Sequence, residues 1–190
     1  MKKVSTLILS SLLLSTTSLL ATSTLKQNTD ILVDGKSVGY ISVLTPVSTD
    51  GSLVTVKGFR LESYPQLVVR DMKRGEVYVE FDEDKEKIAM DTLKVIKSYE
   101  DDYGEIWQEV EGTLAVDPSM ITNDAAPLYK QAKTTYGQTC SMCHHLPEPH
   151  AYTVNQWPQQ IEMMMEQFPL EKPTKSLLIK YLQHNAADAK

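Results

Sequence analysis

Up to Asn123 the chain repeatedly alternates apolar and polar positions, the period of two that buries one face of a strand. Glu76–Phe81 (EVYVEF) is the cleanest case. Asp30–Asp34 (DILVD) and Ser37–Thr45 (SVGYISVLT) flank Gly35-Lys36, and Asp34-Gly35 is a hairpin-type turn signal. Leu53–Arg60 (LVTVKGFR) follows the Asp50-Gly51 turn. Leu93–Tyr99 and Glu105–Val116 make another pair, joined by the acidic turn Asp101–Gly104. Short strands with regularly spaced turn signals predict a small antiparallel barrel or sandwich.

From Asp124 onward the apolar period becomes helical. Asn123 or Asp124 can cap a helix over 127–139, with Leu128, Ala132, Thr135 and Tyr136 near one face. Asn155 can cap a second helix with Pro158 in its first turn, where a missing N–H is harmless. Along it Trp157, Ile161, Met164 and Phe168 recur on one face. Thr174 can cap a third, whose Leu177, Leu178, Tyr181 and Leu182 form an apolar stripe. The class is α+β, with residues 24–123 as the β part and 124–190 as the helical part.

The first residues change the picture of where the protein works. Lys2 and Lys3 precede an apolar run, Leu7–Leu20, diluted by Ser and Thr, and Ala21 and Ser23 have the spacing of a cleavage site. Residues 1–23 therefore read as a secretory signal peptide cut near Ser23. The run is shorter than the roughly 20 apolar residues of a spanning helix, so the expectation is an exported, soluble protein.

The formal charge of the chain is −6. Residues 24–123 carry 19 acidic and 11 basic side chains, whereas residues 124–190 carry six of each. That balance argues against nucleic acid or an anionic membrane surface as partner. The β part has no His and no Cys, and its acidic run Asp82–Glu86 reads as a solvated loop. The run lacks the ligand spacing of a calcium loop.

Chemistry is concentrated in Thr139–His150 (TCSMCHHLPEPH), which holds both cysteines of the chain. Cys140-Ser141-Met142-Cys143-His144 has the C-x-x-C-H spacing of covalent c-type haem attachment. Two thiols from one turn of chain reach the two porphyrin vinyl groups, and the adjacent imidazole can take an axial iron position. Export favours this reading, because c-type haem is attached outside the cytoplasm. Three others compete. A thioredoxin-like pair needs a βαβ context that is missing here. A zinc site could combine Cys140 and Cys143 with one or two of His144, His145 and His150. A plain disulfide is the last.

A haem held by His144 needs a sixth ligand, commonly Met or His. Met163, Met164 and Met165 point about 100° apart, so one at most can aim at an iron. Met164 lies on the apolar stripe and is the candidate distal ligand, although Met also serves as soft core filler. His150 is the alternative. His145 is a bystander, and His184 reads as a solvent-facing or helix-dipole residue.

Taken together, the C-x-x-C-H motif, Leu146-Pro147-x-Pro149, His150, Asn155-Gln156-Trp157-Pro158 and Met164 resemble one family's monohaem domain. It is the C-terminal monohaem domain of the pentahaem cytochromes that serve trimethylamine N-oxide reductase. Leu44–Val47 (LTPV), Val56–Arg60 (VKGFR) and Gly104–Val116 (GEIWQEVEGTLAV) are similar to that family's SH3-like segment. The resemblance implies a small antiparallel SH3-like β-barrel over 24–123, followed by a small all-α cytochrome c domain over 124–190. It also implies one covalent haem c in the periplasm, with a quinol-oxidising membrane cytochrome as donor and a molybdenum oxide reductase as acceptor. Unlike the pentahaem proteins, this chain shows neither a membrane anchor nor four further haem motifs. The role expected is an electron carrier and not an enzyme, its acidic β part serving as a docking module. A haem-based sensor or accessory protein, with an easily displaced sixth ligand, and a zinc-stabilised binding module are the alternatives.

Overall fold

The structure is a computed structural model and describes residues 22–139, 141, 145–166 and 169–190. The expected signal peptide lies outside the described residues except for its last two positions. Ser23, at its end, is buried as the first residue of β1 (Ser23–Leu25).

The hairpin signal at Asp34-Gly35 is realised. It joins β2 (Thr29–Val33) to β3 (Lys36–Ile41). Asp34 and Gly35 have φ of 51° and 74°, the left-handed pair of a type I′ turn. β4 (Pro46–Asp50) and β5 (Leu53–Leu61) follow, then β6 (Tyr64–Val69), β7 (Val77–Phe81), β8 (Leu93–Glu100), β9 (Ile106–Ala115) and the short β10 (Ile121–Thr122). All pairings are antiparallel, in the order β10-β1-β4-β5-β6-β7-β3-β2. β9 lies along the other edge of β5 and carries β8.

β5 organises the sheet. One edge pairs with β9 along its whole length, from Leu53↔Ala115 to Leu61↔Trp107. Its other edge is divided, Leu53–Thr55 pairing with β4 and the far end with β6. One strand serving three neighbours forks the sheet, and the whole curls into a half-barrel. Val54, Val56, Val79, Phe81, Val110 and Leu114 fill its concave side. Helix α1 (Glu86–Thr92) adds Ala89 to that core.

The remaining helices are α2 (Ala126–Thr139), α3 (Trp157–Met165) and α4 (Lys172–His184). Here the expected fold class is corrected: the chain forms one strand-rich curled sheet with four helices among the described residues, and an all-α cytochrome c domain is not shown. The physical reason is visible in the packing. Val43 and Leu44, in the β3–β4 connection, belong to the same apolar cluster as Tyr136, Trp157, Ile161 and Leu178. Three helices of 14, 9 and 13 residues offer little area to enclose one another, so their cluster also takes in Val43 and Leu44.

A buried charge fastens the two parts. Glu76, just before β7, is fully buried. Its Oε1 accepts from Lys180 Nζ at 3.1 Å and from His184 Nε2 at 2.8 Å, both on α4, and its Oε2 pairs with Arg70 at 3.3 Å. Burial alone would raise the Glu76 carboxyl, but the His184 hydrogen bond and the Lys180 charge overcome it and hold it at about 2. Lys180 is likewise pushed down to about 8 by burial, against the pull of Glu76. Near the start of α4, Asn28 donates to Ser176 Oγ at 3.3 Å and accepts from Val43 N–H at 3.0 Å.

Candidate functional site

α2 begins where expected. Asp124 Oδ1 accepts the Ala126 N–H at 2.9 Å, and Pro127 occupies the first turn. Ala132 and Tyr136, four residues apart, are buried, with Leu128 and Tyr129 partly so. Thr135, expected near that face, is half-buried. The helix runs to Thr139, next to the first cysteine. The Ser141 hydroxyl donates to the Gly137 carbonyl at 2.6 Å. Cys140, Cys143 and His144 lie outside the described residues.

The chain after the motif is pinned to the helices on both sides. The Tyr136 hydroxyl donates to the Pro147 carbonyl at 2.7 Å, and Trp157 Nε1–H donates to the Pro149 carbonyl at 2.9 Å. Trp157 is fully buried and meets Tyr136 edge to face at 6.1 Å and Tyr152 at 5.0 Å. Each such ring pair adds about 0.5–1.5 kcal/mol beyond the area buried. The Leu-Pro-x-Pro and Trp-Pro segments, separate in sequence, are thus one aromatic-and-proline joint.

The distal candidates fall in different surroundings. Met164 is half-buried on α3 and packs against the apolar cluster that also receives Leu146, two residues past His144. Met165 packs there too, whereas Met163 is 48% exposed. His150 is exposed on the 3-10 turn Pro149–Ala151, and His145 is exposed. Phe168, expected to extend the stripe, lies outside the described residues. Among the described residues no three His, Cys, Asp or Glu side chains gather to hold a bare metal ion.

Two expectations are corrected here. His184 is neither solvent-facing nor a simple helix-end charge, because it is hydrogen-bonded on both nitrogens. Nε2 meets Glu76, and Nδ1 lies 2.5 Å from the Tyr129 hydroxyl. Burial and the nearby Glu76 charge raise the Tyr129 pKa, so Tyr129 keeps its proton and donates it. Asn155 does not cap α3: Gln156 stands at the cap, and the Asn155 side chain bonds the β6–β7 loop instead. Glu76 and Arg70 gave no signal in the sequence, because a charged residue beside a strand ordinarily faces water.

The site is a helix ending on a C-x-x-C-H segment, with an apolar methionine-bearing helix and an aromatic joint beyond it. No family model matches the chain, and no solved structure matches it. Over 82 residues, 43% of this chain, it is 32% identical to the cytochrome c-type protein TorC of Escherichia coli O157:H7. It is equally similar to the TorC of Escherichia coli strain K12. The match spans 21% of those relatives, about a fifth of their length. Part of the chain is therefore related to a cytochrome c-type protein.

Proposed function

We propose that the chain is a periplasmic monohaem c-type cytochrome that carries single electrons between larger redox proteins. The observation that carries this reading is the C-x-x-C-H segment at the end of α2, supported by the partial similarity to TorC. Residues 1–23 are the export leader, 24–123 supply the sheet and 124–190 the haem-bearing segment. The donor set fits the group: two thiols with the spacing of the vinyl groups, an adjacent imidazole, and a thioether in apolar surroundings. Cys140 and Cys143 would tether it, and His144 and Met164 would supply its iron ligands.

Haem c, when bound, supplies a one-electron ferric–ferrous couple. The chain's own residues do the rest. Tyr136 and Trp157 fix the segment that leaves the tether. The apolar cluster around Met164 and Leu146 keeps water from one side of the site, a lever on reduction potential. Met164 is preferred to His150 because it packs in that cluster while His150 is exposed.

The partners follow from the resemblance to the pentahaem cytochromes: a quinol-oxidising membrane cytochrome as donor and a molybdenum oxide reductase, such as one reducing trimethylamine N-oxide, as acceptor. The acidic sheet, with Asp82, Glu83 and Asp84 exposed in one run, is the docking side. Purified full-length chain on a denaturing gel tests the cofactor. A peroxidase-active band that survives acid–acetone extraction and disappears in Cys140→Ser/Cys143→Ser supports the reading. A colourless, stain-negative chain produced with the haem-attachment machinery present overturns it.

A further inference from the structure

The loop between β6 and β7, residues 70–76, reaches α2 through one intermediary and bonds directly to α4 and to Asn155 ahead of α3. It is rigid in its own right. Asp71 Oδ1 accepts the backbone N–H groups of Lys73 and Arg74, both at 3.0 Å, and its carboxylate pairs with Arg74 at 3.4 Å. The Arg70 N–H donates to the Glu76 carbonyl at 2.9 Å and closes the base. From this frame Glu76 holds Lys180 and His184 of α4, and His184 passes the connection to Tyr129 of α2. Asn155, two residues ahead of α3, donates to the Lys73 carbonyl at 2.9 Å and accepts the Gly75 N–H at 2.6 Å. Arg70 and Arg74 donate to the carbonyls of Ala189 and Lys190, beyond α4, at 3.1 and 2.9 Å.

We propose that this loop is the clamp that positions the haem-bearing helices, with Glu76 and Asn155 as its positioning residues. The inference rests on the haem reading. α2 runs into Cys140, and α3 carries Met164, so the distance between tether and distal ligand depends on how these two helices are held. The loop holds both from one rigid point. A buried carboxylate with three cationic or N–H partners has no alternative place to go: breaking the set leaves a buried charge unpaired. The sheet is then part of the ligand-holding machinery as well as a docking face.

The test uses the full-length, haem-loaded chain. Asn155→Ala frees the α3 side, Glu76→Gln frees the α2 and α4 side, and Lys57→Gln, which breaks an exposed pair with Glu111, is the control. Carbon monoxide binding to the reduced haem reads retention of the distal ligand. Reduction potential and backbone hydrogen exchange are read alongside. Expected are about ten-fold stronger carbon monoxide binding and about ten-fold faster exchange in α3 for Asn155→Ala. Glu76→Gln gives the same in α2 and α4, both variants shift the potential, and Lys57→Gln changes nothing. Should Glu76→Gln fail to fold, Asn155→Ala decides alone, since Asn155 is exposed. An Asn155→Ala chain with unaltered carbon monoxide affinity, potential and α3 exchange overturns the clamp. A chain without haem ends the cytochrome reading separately; α3 exchange in the haem-free Asn155→Ala chain then upholds the clamp if faster and overturns it if unchanged.

Discussion

Glu76 shows how one residue can carry a sheet–helix contact. Its partners keep it ionised down to about pH 2, whereas the unfolded side chain titrates near its ordinary value of 4.5. A carboxyl whose folded pKa is depressed stabilises the fold above the unfolded pKa and loses that contribution as pH falls through the folded one. The stabilisation is on the order of 3 kcal/mol, present above pH 4.5 and lost between 4.5 and 2. Denaturant titrations across that range should show the slope in wild type and a flattened one in Glu76→Gln. Equal slopes would remove Glu76 from the account. The distal ligand is also a question of single residues. Met164→Ala should abolish the Met–iron charge-transfer band of the oxidised protein, and His150→Ala should leave it in place. A wild type without that band, whose low-spin spectrum is lost in His150→Ala, would transfer the role to His150.

At the scale of elements, legibility followed length and burial. β7 and β9 were plain in the sequence because several residues repeat the apolar–polar alternation, and in β9 the burial follows it. β1 and β10, of three and two residues, are too short to show any period; β1 is held between β4 and β10, and β10 pairs with β1. β6 was missed because Pro65 breaks the strand signal, and α1 because its acidic start reads as solvated loop. α2 and the Trp157-Pro158 start of α3 were legible, but the Asn155 cap was not, since a cap and a tertiary hydrogen bond call for the same residue type. Two element-level predictions follow from packing. Gly39 has φ of +148°, and a Cβ there would lie 2.3 Å from the Glu80 carbonyl, so the β3–β7 pairing requires glycine. Gly39→Ala should destabilise the chain by about 2 kcal/mol or more, seen as a lowered denaturation midpoint. Trp157→Ala should cost about 3–5 kcal/mol in the same measurement, because the ring is fully buried and bonds the Pro149 carbonyl.

The whole molecule departs from the expected fold class: the sheet is a curled half-barrel, and an all-α cytochrome c domain is not shown. Val43 and Leu44 join the helical core and Glu76 reaches under α4, so the helices are fastened to a sheet that keeps a core of its own. Neither feature could be read from periodicity, which describes each element's faces but not which element covers them. These sheet–helix contacts predict one unfolding transition. In Trp107→Phe, where Trp157 alone reports fluorescence from the helices, the midpoint should coincide with that of the strand-dominated far-UV signal. Two separated midpoints would restore two independent units. Donor and acceptor depend on the cofactor, and so does the clamp's role in holding its ligands. The most direct measurement is therefore the intact mass of the exported full-length chain against Cys140→Ser/Cys143→Ser. Wild type should be heavier by one covalently bound haem, with the leader removed from both. A wild-type mass equal to that of the polypeptide alone, or to the polypeptide with a disulfide, would contradict the central claim.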